Sequence, residues 1–149
     1  MKLEVKITSV NKEDLVNLLS TACYGSYIFA CKYKTSDYYN TELESEGDTK
    51  EDKLAKVLLS GKPIKVYDCQ AEDEDEFYGN LPHKWNKIEE AMGYTVTLQD
   101  IINGIEKASN NGSYDAVCAN ALIANSSSFD ACMAENLMQI ITFGESVYG

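Results

Sequence analysis

The spacing of apolar residues changes along this chain, and the change constrains the fold more than any other feature. Near the start, Leu3, Val5 and Ile7 alternate with polar residues at the two-residue period of a β-strand. From Leu98 onward, apolar residues recur three and four positions apart, as on one face of a helix. No repeat or low-complexity linker divides the chain. The sequence therefore predicts one α+β domain over residues 1–149, in which a small, mainly antiparallel sheet from the N-terminal half packs with C-terminal helices.

A helix and a second strand are predicted after the first strand. Asn11 is a common N-cap residue, and Glu13 and Asp14 would lie in the first helical turn. The apolar positions that follow have helical spacing and are Leu15, Leu18, Leu19 and Ala22. Gly25 is expected to end this helix. Residues 27–34 then alternate as a strand, and the residues on its aromatic face are Tyr27, Phe29, Cys31 and Tyr33.

The middle of the chain predicts a mixture of short elements. A polar loop over residues 35–48 leads to Thr49, which is expected to cap a short helix. Residues 64–67 predict a short strand. Pro82 is expected to open a further helix, and the residues that form its apolar face and its end are Trp85, Ile88, Met92 and Gly93. Residues 94–97 have the pattern of another strand.

Three helices are predicted from Leu98 to the C-terminus. The apolar stripe of the first helix is Ile101, Ile102 and Ile105. Residues 110–112 form a turn, and residues 117–124 form a helix of small residues. Residues 126–128 offer a cap for the last helix, with Asp130 in its first turn. The apolar residues of this last helix, before Gly144, are Leu137, Met138, Ile140 and Ile141.

The ionic residues exclude several classes of function. The chain has 24 acidic residues against 13 lysines, no arginine and a single histidine, His83, which gives a net charge of -11. Binding to a DNA or RNA backbone needs a cationic stripe, and arginine is the usual grip on phosphate. A nucleic-acid partner is therefore not expected. One histidine excludes multi-histidine metal sites, and the sequence indicates no metal and no cofactor.

Two acidic clusters hold most of the negative charge. Residues 42–52 contain six carboxylates and one lysine, and residues 72–76 are five consecutive carboxylates. One interpretation is a mimic of nucleic-acid phosphates that blocks a DNA-binding protein. The other is a pair of solvated loops, since like charges in a row repel and extend. Calcium binding is disfavoured because the EF-hand spacing is absent.

The cysteine pattern predicts free thiols. The five cysteines are odd in number, widely spaced and without a CxxC pair, and they are Cys23, Cys31, Cys69, Cys118 and Cys132. This pattern fits neither a disulfide scaffold nor a zinc site, so all five are interpreted as small buried hydrophobes. No apolar run approaches the ~20 residues of a membrane span, and the first residues lack the apolar core of a signal peptide. A cytoplasmic protein with no membrane partner is expected.

Enzyme signatures are absent, and aromatic residues are the better candidates for a site. Asp115, Asp130 and Glu135 lie among apolar residues, but helix capping explains the first two, so no catalytic residue is predicted. Tyrosine supplies a rigid contact surface that stacks on a nucleobase or anchors a partner. The expected ligand-binding residues are the tyrosines and lysines clustered after the first helix, namely Tyr24, Lys32, Lys34, Tyr38 and Tyr39.

Both ends of the chain resemble a family of small acidic proteins of phages and prophages of Gram-positive bacteria. The opening match runs from Glu13 through residues 18–22 to residues 24–27. The closing match is Asp130-Ala131, then Gln139, then the final Phe-Gly-Glu-Ser-Val-Tyr-Gly of residues 143–149, which resembles the family's Phe-Gly-Glu-x-Val-Tyr-Gly ending. The resemblance implies a phage or prophage origin and no established chemistry. Within this ending, Phe143, Gly144 and Tyr148 are expected to be structural or interface residues that fold back onto the sheet or reach a neighbouring subunit.

These observations lead to three hypotheses for the function. The first is a counter-defence protein that sequesters a small nucleotide immune signal without catalysis, as a homo-oligomer in the host bacterial cytoplasm. The second is an acidic inhibitor that binds a host defence or DNA-binding protein directly. The third is a structural or regulatory phage protein without a ligand.

Overall fold

The computed structural model describes residues 4–24, 28–32 and 46–148, without the side chains of Tyr24, Cys31 and Lys32. The elements follow in the order α1 (Lys12–Tyr24), β1 (Phe29–Lys32), α2 (Lys50–Leu59), β2 (Ile64–Asp68), β3 (His83–Asn86), β4 (Ala91–Val96), α3 (Leu98–Asn110), α4 (Ser113–Ile123) and α5 (Ala131–Phe143). This architecture confirms the predicted α+β fold with a small antiparallel sheet.

The four strands form one antiparallel sheet in the order β1-β2-β4-β3. Successive residues of a strand point to opposite faces. Ile64, Val66 and Asp68 of β2 are buried against the helices, whereas Lys65 and Tyr67 lie on the opposite, outer face. The described helices pack on the inner face, where one apolar core joins residues of the sheet to residues of all five helices.

Side-chain caps explain where the first helices begin. Asn11 Oδ1 accepts a hydrogen bond of 2.8 Å from the backbone N–H of Asp14, as the sequence predicts. Thr49 and Asp52 form a reciprocal capping box at the start of α2. The hydrogen bonds that the Asp52 carboxylate accepts there, first of all from the backbone N–H of Thr49, lower the pKa of Asp52. The predicted apolar residues of α1 and α2 are buried, including Leu15, Leu18, Leu19, Leu54 and Leu58.

The first predicted strand is wrong. Residues 4–10 form no strand, and their backbone is instead bound by side chains of α3. Val5 donates its N–H to Asn110 Oδ1 at 2.7 Å and accepts a bond from Asn110 Nδ2 at 2.8 Å. The N–H of Ile7 bonds to Glu106 Oε1 at 2.9 Å. An alternating pattern shows that one face is half-buried, but not which groups will satisfy the backbone.

The helix predicted from Pro82 to Gly93 is also wrong, because these residues form the hairpin of β3 and β4. The Pro82 carbonyl accepts a hydrogen bond from the N–H of Thr95, and Asn86 Oδ1 accepts bonds from the backbone of the connecting turn, residues 87–90. Ile88, which the helical pattern would bury, lies in this turn and is 92% exposed. The strand predicted over residues 94–97 is confirmed as the end of β4.

Two smaller predictions need correction. Asp130 is the N-cap of α5 rather than a first-turn residue, since its carboxylate accepts the N–H of Met133. The five cysteines are not all buried thiols. Cys23 is disulfide-bonded, and Cys69 and Cys132 are exposed thiols outside any disulfide. Only Cys118 is both free and buried among the described cysteine side chains. The prediction of free thiols used the sequence spacing of the cysteines, and this spacing does not determine which cysteines the fold brings close together.

Several predictions lie outside the described residues. They concern Gly25, Tyr27, Tyr33 and most of the loop over residues 35–48. Among the helices of the described ranges, none combines the length and the apolar character required to cross a membrane.

Candidate functional site

The ligand-binding residues predicted from the sequence are only partly described. Lys34, Tyr38 and Tyr39 lie outside the described residues, and Tyr24 and Lys32 are described by their backbone alone. Lys32 ends β1, and the antiparallel register pairs it with Lys65 of β2. The described residues therefore do not show the predicted cluster as one site. One of its lysines, Lys32, is paired in the sheet with Lys65, which was not among the residues predicted from the sequence.

Three lysines come together on the outer face of the sheet. Lys65 is on the central strand β2, Lys84 pairs with Gly93 across the β3–β4 hairpin, and Lys87 begins the turn of that hairpin. They border a cleft of about 350 Å³. The lining residues are Lys65, Tyr67, Lys84, Trp85, Asn86, Lys87, Ile88 and Gly93. None of these is acidic, although acidic residues outnumber lysines nearly two to one in the whole chain.

An aromatic ring lies against the backbone in this cleft. Gly93 pairs with Tyr67 in the register of β2 and β4, and a Cβ atom at position 93 would lie only 2.9 Å from Tyr67 Cε1. The ring of Tyr67 thus occupies the space that any larger residue at position 93 would need. Gly93 fixes where this half-buried tyrosine sits, between the neighbouring lysines.

The cleft lysines have no carboxylate neutralising them within the described part of the chain. Lys65 Nζ donates a 2.7 Å hydrogen bond to Thr95 Oγ1, which holds its ammonium group over the sheet. The ion pairs of the described residues involve other lysines, Lys12 with Asp52 and Lys56 with Asp48. Glu89 and Glu90 follow Lys87 in the hairpin turn, but they do not line the cleft.

Sequence reasoning missed this site because it assigned the hairpin to a helix. Read as a strand, residues 83–86 alternate, with His83 and Trp85 in register with the buried Tyr94 and Met92, and Lys84 in register with Gly93. The same alternation in residues 64–67 places Lys65 and Tyr67 on one face. A two-residue period with lysine on one face in two neighbouring strands was the available signal.

The C-terminal segment packs on the inner side of the sheet, far along the chain from these lysines. Phe143 makes ring contacts with Phe29, Tyr94 and Tyr148, at centroid distances of 5.4–5.9 Å. Gly144, with φ of 86°, ends α5 in the left-handed conformation. The buried side chain of Gln139 holds the segment, because its Oε1 accepts the N–H groups of Val147 and Tyr148 at 2.8 and 2.7 Å.

The Tyr148 hydroxyl reaches a buried carboxylate at the end of β2. It donates a 2.7 Å hydrogen bond to Asp68 Oδ2, and Asp68 Oδ1 accepts the N–H groups of Gln70 and Ala71. Burial raises the pKa of Asp68, and these three hydrogen bonds offset part of the effect. Burial and the bond to Asp68 also raise the pKa of Tyr148. All groups in this cluster have protein partners, so it is a structural contact rather than a site open to a ligand.

The acidic tract over residues 72–76 lies in an exposed loop. Its backbone is folded by its own side chains, since the N–H of Glu72 bonds to Glu76 Oε2 and the N–H of Asp75 bonds to Asp73 Oδ1, both at 2.9 Å. In the described part of the chain, no group of three or more metal-ligating side chains could hold an ion. The tract therefore has the character of a solvated loop, and inhibition through it stays a prediction.

Capping was predicted for two aspartates, and the structure shows it for Asp130 but not for Asp115, whose helix α4 has no side-chain cap. Asp130 caps α5, and Asp115 accepts hydrogen bonds from Asn111 and Asn136. The chain matches no protein-family model, and neither a curated protein nor a solved structure is significantly similar to it.

Proposed function

We propose that this protein is a non-catalytic binding protein that holds a small nucleotide-type ligand in the cleft of the outer sheet face. The observation that supports the proposal is the meeting of Lys65, Lys84 and Lys87 around one cleft beside Tyr67, without an acidic lining residue. Lysine binds phosphate as a point charge, and a tyrosine ring stacks on any base. A volume of about 350 Å³ lies within the range of small-molecule sites.

The distribution of charge favours a small anion over a long one. The whole chain carries -11, so a polyanion such as DNA would meet repulsion beyond the cleft. A ligand with one to three phosphates can instead stay within reach of the three ammonium groups. Screening in salt solution limits the influence of distant carboxylates to roughly 8–10 Å.

In this proposal the cleft residues have distinct roles. Lys65, held by Thr95, would meet a phosphate near the sheet, while the more exposed Lys84 and Lys87 would meet phosphates at the rim. Tyr67, whose ring packs against Gly93, would stack on the base. In the backbone register of the sheet, Lys32 is the partner of Lys65.

The resemblance to small phage proteins supplies a biological setting for the proposal. A phage protein that binds a nucleotide without converting it would act by sequestration of an immune signal, in stoichiometric amounts. We expect protein purified from infected, defence-positive cells to release a nucleotide on denaturation, detectable by its mass. A supernatant without any small molecule would favour direct inhibition of a host protein instead.

The fluorescence of Trp85 provides a measurement of binding, because Trp85 is the single tryptophan of the chain and belongs to β3, the strand that borders the cleft. We expect its fluorescence to change on titration with cyclic nucleotides or ADP-ribose isomers. The double variant Lys84→Ala with Lys87→Ala should weaken binding about 10- to 100-fold at low ionic strength. Tyr67→Ala should weaken it roughly 5- to 100-fold at any ionic strength, since stacking depends little on salt.

A matched control is the double variant Lys50→Ala with Lys62→Ala, which removes the same charge from exposed positions outside the cleft. It should retain the affinity of the parent protein. Equal loss of affinity in both double variants would show general electrostatic attraction rather than a site. No fluorescence change and no calorimetric heat with any of these ligands would contradict the proposal.

A further inference from the structure

We propose that the ligand of the outer cleft is a dinucleotide, in which two phosphates alternate with two nucleosides. This inference rests on the proposed nucleotide site and specifies the class of ligand that the site takes. The sheet register and the hairpin turn set the order of the groups along the cleft. That order is a lysine, an aromatic ring, two further lysines and an aliphatic side chain.

Strand β4 lies between the two strands that carry cleft lysines, and it sets the distances along the cleft. Thr95, Gly93 and Ala91 are alternate residues of β4 on one face of the sheet. Two residues of a strand span about 7 Å, so Thr95 and Ala91 are roughly 13 Å apart. The hydrogen bond to Thr95 holds Lys65 Nζ at one end of this distance. The ring of Tyr67 packs on Gly93, in the middle.

The other two lysines lie beside the Tyr67 ring and beyond it. Lys84 is level with Gly93 on β3, about 5 Å away across the sheet. Lys87 comes directly after β3, at the hairpin end of the cleft. The ring of Tyr67 therefore has Lys65 on one side along the strands and Lys87 on the other. Neighbouring phosphates of a nucleoside triphosphate share a bridging oxygen, so a single run of phosphates lies on only one side of a base stacked on this ring.

The hairpin turn adds an apolar group next to Lys87. Ile88 is 92% exposed, and it lines the cleft. Turns favour Gly, Pro, Asn, Asp and Ser, not a β-branched residue. The backbone of this turn is held by Asn86 Oδ1, which accepts the N–H groups of Ile88 and Glu89. The side chain of Ile88 thus serves neither the turn nor the core, and the apolar face of a second base would cover it.

A dinucleotide matches this order group by group. Its first phosphate would bind Lys65, and its first base would stack on Tyr67. Its second phosphate would bind between Lys84 and Lys87, and its second base would pack on Ile88. A whole sugar separates successive phosphates of a dinucleotide, and the flexible lysine stems adapt to the remaining distance. A linear 5′-phosphorylated dinucleotide and a cyclic dinucleotide share this alternation of phosphate and nucleoside.

Calorimetric titration of the full chain tests the inference with AMP, ATP, a linear 5′-phosphorylated diadenylate and cyclic diadenylate. At least one of the dinucleotides should bind about tenfold or more tightly than AMP and ATP. ATP carries more negative charge than either dinucleotide, so charge alone would favour ATP. The tighter of the two dinucleotides shows whether the ligand is open or closed. ATP that binds as tightly as both would overturn the inference and leave the nucleotide site standing, whereas no binding of any of the four would contradict the site itself.

Ile88→Ser and Leu59→Ser form a matched pair of variants. Ile88→Ser should weaken dinucleotide binding about 3- to 30-fold and leave the affinity for AMP unchanged, because AMP has no second base. Leu59 is a 44% exposed apolar residue at the end of α2, outside the cleft, and Leu59→Ser should leave both affinities unchanged. An Ile88→Ser variant that binds the dinucleotides as tightly as the parent would overturn the inference, since the second base would then have no contact at the hairpin.

Discussion

At the scale of single residues, the contact between Asp68 and Tyr148 connects positions 80 residues apart in the chain. Asp68 is fully buried, and a buried carboxylate is costly unless hydrogen bonds satisfy it. Gln139 completes the contact by binding the backbone next to Tyr148. Asp68, Gln139 and Tyr148 thus fix the C-terminal segment on the sheet.

The raised pKa of Asp68 predicts the sign of a pH effect on stability. Burial raises this pKa in the folded protein above its usual 3.8, so the folded state binds the proton more tightly than the unfolded chain does. The stabilisation is complete below the unfolded pKa and is lost as pH rises through the folded pKa. Asp68→Asn keeps a neutral group at every pH. We therefore expect the unfolding free energy of the parent, relative to this variant, to fall as the pH rises above the usual carboxyl pKa of 3.8.

Urea unfolding at several pH values measures this difference. Tyr148→Phe should extend the fall to higher pH, because loss of the hydroxyl removes a hydrogen bond that lowers the pKa of Asp68. It should also cost about 1–3 kcal/mol at neutral pH, as expected when a buried acceptor loses its donor. Parallel pH curves for the parent and Asp68→Asn would show that Asp68 does not titrate differently in the two states.

At the scale of elements, the sequence predicts best where a local signal is complete. Asn11 and Thr49 each cap a helix within one turn of the predicted start, and the apolar stripe of α3 is buried as its spacing predicts. The β3–β4 hairpin fails this test. Its turn, residues 87–90, contains neither glycine nor proline, and a helix with a proline at its first position explains the same residues equally well. Because the sequence did not predict the hairpin, it did not predict the candidate cleft either, since only the strand register brings the cleft lysines together.

The packing of α3 against α5 gives a prediction at this scale. A Cβ atom at Gly104 would overlap Ile141 Cγ1 and lie 2.9 Å from Ile141 Cα, so the two helices touch without room for a methyl group. Alanine favours a helix over glycine by about 1 kcal/mol. We nevertheless expect Gly104→Ala to destabilise the protein by about 1–3 kcal/mol, because the helices must separate.

Asn103→Ala is a suitable control, because Asn103 is the exposed neighbour on α3. It should change the free energy of unfolding by less than about 0.5 kcal/mol. Chemical denaturation of both variants measures the difference. If Gly104→Ala is as stable as the parent, the close approach of the two helices is wrong.

At the scale of the whole molecule, charge and packing are separated along the surface. The acidic tract forms an exposed loop, the outer sheet face gathers lysines, and α4 carries almost no charge. Composition alone gives the sum of these charges and not their separation, since the separation depends on strand register and helix orientation. For this reason the net charge gives no indication of a cationic cleft.

The C-terminal segment belongs to this scale because its loss affects both layers of the fold. Removal of residues 145–149 would delete the ring contacts of Tyr148 with Phe143 and Tyr78. It would also remove the hydroxyl that donates to Asp68 and the backbone N–H groups that donate to the buried Gln139 side chain. Truncation of a packed aromatic costs about 3–5 kcal/mol, against a total stability of about 5–15 kcal/mol. We expect the melting temperature to fall by about 6 °C or more. The variant Glu145→Ala with Ser146→Ala changes only exposed residues of the same segment and should melt like the parent. Differential scanning calorimetry compares the two, and a truncated protein that keeps the parental melting temperature would show that the segment contributes nothing to the fold.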